Sequence, residues 1–449
     1  MTDAHADSVV LGATVSALDP DARPATALAI RGGRIVATGD ERDVRHLIGP
    51  RTEVLEFAGR ALVPGINDSH LHAAWLGAMW PATLLGGGTD PADPPPALVT
   101  AADRRAAILR AVRIASGLGI TSFTEPGLGP GEDDGPTGCF SSAVLDEYAA
   151  LSREGALDAR VTVLRLFGEL DGPSAVANLE RGLDTPVPQS DPRWLRVAGV
   201  KIFADGIPPM RTAWTHHCYA DGTDGALLVD GADAAEREAN LRRMIALAHA
   251  RGLQIGVHAT GDRTIETMVD ALAREQQRDP QRPRHYVIHG DLVTPEILGR
   301  MAAVGVGLNT QPCIAAQTRG WMAGALGDEI AGAAWPLEQA FAAGVPVSLS
   351  SDAPVLTPDW RLGIAAAAAS MPDAVRRDPR AVMRRLLRCY TVEPAVQDRA
   401  EHWKGTLAVG MAADVCVLEQ DPLELAPSEL PDVAVDATIV DGRTVFRRS

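Results

Sequence analysis

EREANLRRMIALAHARG, residues 236–252, runs directly into LQIGVHATGD, residues 253–262. The first stretch is rich in Ala, Leu and Arg, and its apolar residues fall at helical spacing. The second is a short β-rich run that ends on a histidine and then a turn. The same alternation extends in both directions. Candidate strands are LVPGINDSHLH (62–72), GITSFTE (119–125), RVTVLRLFG (160–168), RVAGVKIFADG (196–206), LQIGVHATGD, HYVIHGDL (285–292), VGVGLNTQP (304–312) and PVSLSSDAP (346–354). Helix-like stretches such as TPEILGRMAAVG (294–305) lie between most of them. Eight strands with intervening helices predict a parallel α/β architecture, the (β/α)8 TIM barrel, over residues 63–403.

The two ends read differently. SVVLGATVSAL (8–18), TALAIRGGRIVATG (26–39) and TEVLEFAGRALVPG (52–65) are short strands, as are GTLAVGMAADVCVLE (405–419) and DATIVDGRTVFRR (436–448). Gly32-Gly33 and Asp441-Gly442 are hairpin signals. Chain termini often lie close together, so residues 1–62 and 404–449 are expected to form one small β-sandwich domain. The PADPPP segment (91–96) reads as a loop, and the alanine run at 365–369 as part of a helix.

Composition bounds the class. The chain has 449 residues, 46% of them hydrophobic, enough for a large core. A formal net charge of -16 argues against a nucleic-acid binder, which needs a basic face. Five cysteines without a CxxC pair predict no disulfide framework and a reducing compartment. The N-terminus lacks a basic region followed by an apolar stretch, and no apolar run of about 18 residues occurs. A cytoplasmic protein with no membrane span is the expectation.

Polar residues recur at the C-terminal ends of the strands, the face that carries the active site in such barrels. His70 and His72 alternate across Leu71, so both side chains point to one face of a strand. Two neighbouring imidazoles can bind one metal, or can simply be a polar strand end. Asp68 is a partner behind them or a turn residue. Lys201 sits in an apolar strand, where a charged amine is expensive to bury. It either pairs with a carboxylate such as Asp205 or is modified to a carbamate able to bridge two metals. His258, His289 and Asp352 each end a β-rich run. Spacings of 31 and 63 residues put them on strands five, six and eight. His5, His46, His249, His285 and His402 join no such set; His216 and His217 read as loop residues.

VPGINDSHLH, VKIFADG followed by MRTAW, GVHATGDRTIE, VIHGDLVTPE with NTQP, and SSDAPV together resemble the amidohydrolase superfamily. The branch is amidohydrolase family 3, that of the N-substituted formamide deformylases and YtcJ-like proteins. The terminal GTLAVGMAADVCVL and IVDGRTVF resemble its small β-domain. The resemblance implies that His70 and His72, with Asp352, bind the more buried metal. It implies that Lys201 as a carbamate bridges two Zn2+ (or other divalent) ions and that His258 and His289 hold the second. The segment between HxH and the second strand looks trimmed relative to the family. Glu125, in TSFTEPG, is an unusual acid for that strand end: it ligates metal in place of the carbamate or stands outside the metal shell. Whether one or two metals bind stays open.

The expected activity is hydrolysis of a C–N bond in a small amide or N-substituted formamide. Metal-activated water would attack, with Asp352 as general base and then acid. Trp75, Trp80, Arg211, Tyr219, Gln311 and Trp321 would line the substrate pocket, with Arg211 binding a carboxylate or pairing with Asp205. The rival readings are a heterocycle deaminase, a non-hydrolytic member of the superfamily, and a barrel kept as a non-enzymatic scaffold. A homodimer is the default oligomer.

Overall fold

The computed structural model describes residues 5–88, 96–280 and 284–449; the loop expected at PADPPP lies almost wholly outside them. Eight parallel strands follow one another in a single sheet in chain order. They are β1 (Ile66–Asp68), β2 (Ile120–Leu128), β3 (Arg160–Leu166), β4 (Leu195–Phe203), β5 (Gln254–Ala259), β6 (Tyr286–His289), β7 (Gly307–Thr310) and β8 (Val347–Leu349). Every residue of β2, β3 and β5 is buried, as expected for strands covered by helices outside and side chains inside.

The seam between β8 and β1 closes through bonds made just past the strands. The Asp352 amide donates to the His70 carbonyl at 2.8 Å. Ser69 Oγ donates to the Leu349 carbonyl at 3.1 Å, and the Ser351 amide to Asp68 Oδ1 at 3.0 Å. Closing the barrel therefore also brings Asp352 beside His70. Asp68 serves this seam, and burial pushes its carboxyl up to about 7.

The helix Ala234–Ala250 shows why the opening stretch folds as it does. Asp233 caps its first turn by accepting from the Glu236 amide. Leu241, Met244, Ile245 and Ala248 then fall on one face and are buried with the neighbouring strands in the main core. Gly252, at φ 68°, ends the helix and turns the chain into β5.

Two smaller sheets come from the chain ends. One orders Arg34–Gly39, Ala27–Arg31, Ser8–Leu11 and Glu53–Glu56; the other orders Arg443–Arg447, Val435–Val440, Val415–Leu418, Ala61–Pro64 and Thr14–Val15. Val10, Leu28 and Ile30 of the first share a core with Leu62, Val415 and Ile439 of the second, which makes the pair a sandwich. Both expected hairpins form, with Arg31 opposite Arg34 and Val440 opposite Arg443. All four turn residues take positive φ: Gly32 58°, Gly33 71°, Asp441 52° and Gly442 77°.

One expected strand divides. Within LVPGINDSHLH, the residues up to Pro64 pair with Val415–Leu418 in the sandwich, and Ile66–Asp68 opens the barrel. Gly65 is the break: a Cβ there would lie 2.1 Å from Thr121 Oγ1. A buried ion pair ties sandwich to barrel. Arg160, the first residue of β3, donates from Nε and a terminal nitrogen to both Asp414 oxygens at 2.7 and 2.9 Å and to Asp441 at 2.9 Å. All five cysteines are free. Among the described residues no helix is long and apolar enough to cross a membrane.

Candidate metal centre

His70 and His72 lie just past β1 and Asp352 just past β8, all three buried. Asp352 Oδ1 is 3.2 Å from His70 Nε2 and 3.4 Å from His72 Nε2. Among the described residues, this is the one group of three or more His, Cys, Asp or Glu whose ligating atoms lie within 4.8 Å of one another. The backbone of Asp352 is strained, at φ 56°. Such strain in a non-glycine residue persists only where its surroundings enforce it, often at functional sites.

Glu125 projects from β2 toward His72. Its Oε2 accepts from the Ala73 amide at 2.7 Å and from the Tyr148 hydroxyl at 3.0 Å. Its Oε1 has no hydrogen-bond partner and lies 3.4 Å from His72 Nδ1, which also has none. The carboxylate thus faces the rear nitrogen of His72, while Nε2 of the same ring faces Asp352. Burial opposes a charge on His72, but Asp352 and Glu125 outweigh it and push the imidazole up to about 9.

Lys201, on β4, is buried, and among the described residues its Nζ has no hydrogen bond or ion pair. Burial lowers its amine to about 8, with Asp352 and Asp171 partly offsetting the fall. Asp205 is not its partner. That carboxylate accepts from the Trp214, Thr260 and Gly261 amides at 3.1, 3.0 and 2.9 Å, so it pins the chain after β5 instead. The His258 and His289 rings stand 4.4 Å apart, and His289 is 5.5 Å from His70. Burial holds both neutral, with His289 down to about 4. Neutral imidazole is the metal-binding form.

His289, at φ 72°, is oriented from behind. Its Nδ1 pairs with Gln311 Oε1 at 2.8 Å, and Gln311 Nε2 donates to Ser350 Oγ at 2.9 Å and Asn309 Oδ1 at 3.1 Å. Gln311 is therefore buried behind the ring and does not line the cavity.

That cavity, ≈240 Å³, opens over the five histidine and lysine side chains and Asp352. Trp75 and Trp321 line it, as do Leu85, Ile207 and Ile314. The other proposed pocket residues lie elsewhere. Arg211 is exposed and pairs with Asp221 at 2.9 Å. Tyr219 is buried, with its hydroxyl on the Ala213 carbonyl at 2.8 Å. Trp80 packs beside the helix Ala73–Met79, and His216 and His217 pair with Glu266 and Asp262. Two lining carboxylates, Asp171 and Asp291, went unread in the sequence. RLFGELDG and VIHGDL both place an acid just past a strand, so the rule that selected His258 also reaches them.

The model of the amidohydrolase family matches residues 82–446. The chain belongs to the amidohydrolase family. That membership makes it a hydrolase. Among curated relatives it is 24% identical to the N-substituted formamide deformylase of Arthrobacter pascens, with 99% of each chain covered. The alignment runs over 549 positions, more than the 449 residues here, so the relative carries insertions that this chain lacks. It is 27% identical to the putative amidohydrolase YtcJ of Bacillus subtilis over 57% of this chain; that match spans about half of YtcJ (48%). Among solved structures, an uncharacterized metal-dependent hydrolase from Pyrococcus horikoshii superposes with a TM-score of 0.72 at 19% identity, covering 94% of this chain and 99% of the other. At that identity the superposition speaks for the fold.

Proposed function

We propose that this amidohydrolase cleaves the C–N bond of a small amide, of the N-substituted formamide class, at a zinc centre held by His70, His72 and Asp352. The convergence of those three side chains at the mouth of the barrel carries the reading. Their separations of 3.2 and 3.4 Å are long for charge-assisted hydrogen bonds. They fit ligands that share one ion, since bonds of about 2.1 Å in a tetrahedron give edges of roughly 3.4 Å. His258 and His289, neutral and adjacent, suit a second ion, with Lys201 joining the two as a carbamate. The Lys201 amine lies over the Phe203 ring at 4.7 Å, and burial lowers it to about 8, which enlarges the neutral fraction that reacts with carbon dioxide. The full-length match to a formamide deformylase supports the bond class.

When bound, a divalent cation supplies a water ionisable near neutral pH and a Lewis acid for the carbonyl. The chain's own groups do the rest. Asp352 takes the proton of the attacking water and returns it to the leaving nitrogen. Gln311 fixes which nitrogen of His289 faces the cavity. Trp75, Ile314 and Trp321 offer an apolar surface to the N-substituent and exclude water from it. The test is turnover on a panel of N-substituted formamides, linear amides and cyclic amidines. Formamide or amide hydrolysis supports the reading, and ammonia release from amidines alone would replace it with a deaminase.

Glu125 acts through His72 in this scheme, as a positioning residue whose Oε1 faces Nδ1 at 3.4 Å and turns Nε2 to the metal. Glu125→Gln is expected to lower zinc affinity roughly 10- to 100-fold in a chelator competition titration. An unchanged affinity would remove Glu125 from the centre.

A further inference from the structure

A second cavity, ≈450 Å³, lies at the end of the barrel opposite the metal centre. Arg160 opens β3 and Arg196 stands second in β4, so both line it from the N-terminal ends of their strands. Arg34 of the sandwich and the segment 398–404, which leads the chain back to the sandwich, complete the wall. Six lining residues are cationic, Arg34, Arg160, Arg193, Arg196, Arg399 and Lys404, and Asp398 is the single lining carboxylate among the described residues. That excess stands out in a chain of formal net charge -16.

Three of the six charges are met within the protein. Arg160 holds Asp414 and Asp441, Lys404 pairs with Asp398 at 2.7 Å, and Arg193 pairs with Asp191 at 3.2 Å. Among the described residues Arg34, Arg196 and Arg399 have no carboxylate partner. Arg34 and Arg399 are exposed and hydrated. Arg196 is half-buried, and its guanidinium donates to the backbone carbonyl of Asp398. An arginine has five N–H donors, and the others of Arg196 find no acceptor among the described residues. The Asp398 carboxylate does not serve it: Oδ2 accepts from Lys404 and Asn67 at 2.7 and 2.9 Å, and Oδ1 is sealed without a hydrogen bond. Burial holds the Arg196 guanidinium below the ordinary arginine range; Asp398 opposes the fall, and the like charge of Arg399 adds to it. A partly desolvated guanidinium near a like charge gains when an anion comes within reach of both. The enclosed walls, with Arg160 and Lys404 buried in them, concentrate the positive field in the cleft. The guanidinium fork matches the oxygens of a phosphate, and the volume is that of a small-molecule site.

We propose that this cleft is a second ligand site, which binds phosphate or a small phosphate monoester on Arg196 and Arg399. It is independent of the chemistry at the metal centre. Inorganic phosphate and glycerol 3-phosphate are titrated calorimetrically into the zinc-loaded protein at constant ionic strength, set with sodium chloride. Both are expected to bind the wild type. Tighter binding of the monoester would assign an organic phosphate and equal binding the free ion, and either result supports the site. Arg196→Gln is expected to weaken binding roughly 10- to 100-fold, as the loss of a charged hydrogen-bond partner does. Arg399→Gln, at an exposed position whose side chain has no bond in the fold to lose, is expected to weaken it in the same direction. Absence of binding to the wild type would overturn the proposal. So would an affinity left unchanged by either substitution, since the anion would then sit elsewhere, at the metal centre or on another surface.

Discussion

Asp352→Asn is expected to lower turnover by roughly 10²- to 10⁴-fold, the usual contribution of a positioned general acid–base. Asn keeps the volume and shape of the side chain and can still present an oxygen to His70 and His72. It is also, with Gly and Asp, among the residues that best tolerate the left-handed backbone found at this position, φ 56°. The seam bond from the residue 352 amide to the His70 carbonyl does not involve the side chain. The fold is therefore expected to survive, with unchanged far-UV circular dichroism and thermal midpoint. What the amide cannot do is accept a proton and pass it on. Steady-state kinetics, with metal content measured on the same sample, check this. Near-normal turnover at full metal content would remove Asp352 as the proton carrier.

The second large effect is on stability. Arg160→Ala is expected to cost about 3–5 kcal/mol, because it leaves Asp414 charged and buried without its partner. Arg160 and Asp414 are both nearly inaccessible, with side-chain exposures of 3% and 7%. Burial by itself would lower the guanidinium, yet the two carboxylates hold it further up than an ordinary arginine. The ring faces of Trp194 and Trp403, 4.7 and 5.0 Å from the guanidinium carbon, complete its enclosure. Denaturant unfolding of Arg160→Ala, Asp414→Ala and the double variant measures the coupling. The double variant should lose less than the sum of the two single losses, and strictly additive losses would show that the pair does not join barrel to sandwich.

The barrel was legible because its strands are short apolar runs at regular spacing, each ending in a polar residue that a core strand has no use for. His70, His72, Lys201, His258, His289 and Asp352 were found in that way, and the structure places all of them around one cavity. The two β-rich ends were legible through Gly32-Gly33 and Asp441-Gly442. Gly65 was not read as a break, because apolar residues continue on both sides of it and only the approach of Thr121 marks the change of sheet.

The roles of groups behind the ligands were harder to read. Glu125 reads as a metal ligand or as a residue outside the metal shell, and no local pattern announces that the Ala73 amide, 52 residues away, and the Tyr148 hydroxyl hold one of its oxygens while the other faces His72. Gln311 reads as a pocket residue for the same reason: its place behind His289 depends on how β6 and β7 lie side by side. Arg211 and Tyr219 sit in a long loop, and their partners Asp221 and Ala213 lie in that same segment. Spacing along a strand reports which face a side chain takes, and says little about a loop that folds on itself.

The central claim is that His70, His72 and Asp352 bind metal. Its most direct test is zinc content per chain, measured after reconstitution and removal of free ion, for the wild type and for His70→Ala/His72→Ala. One to two zinc ions per wild-type chain and the loss of at least one in the variant are expected, with amide hydrolysis falling in step. A wild type that takes up no zinc, or a variant that retains the full complement, would contradict it.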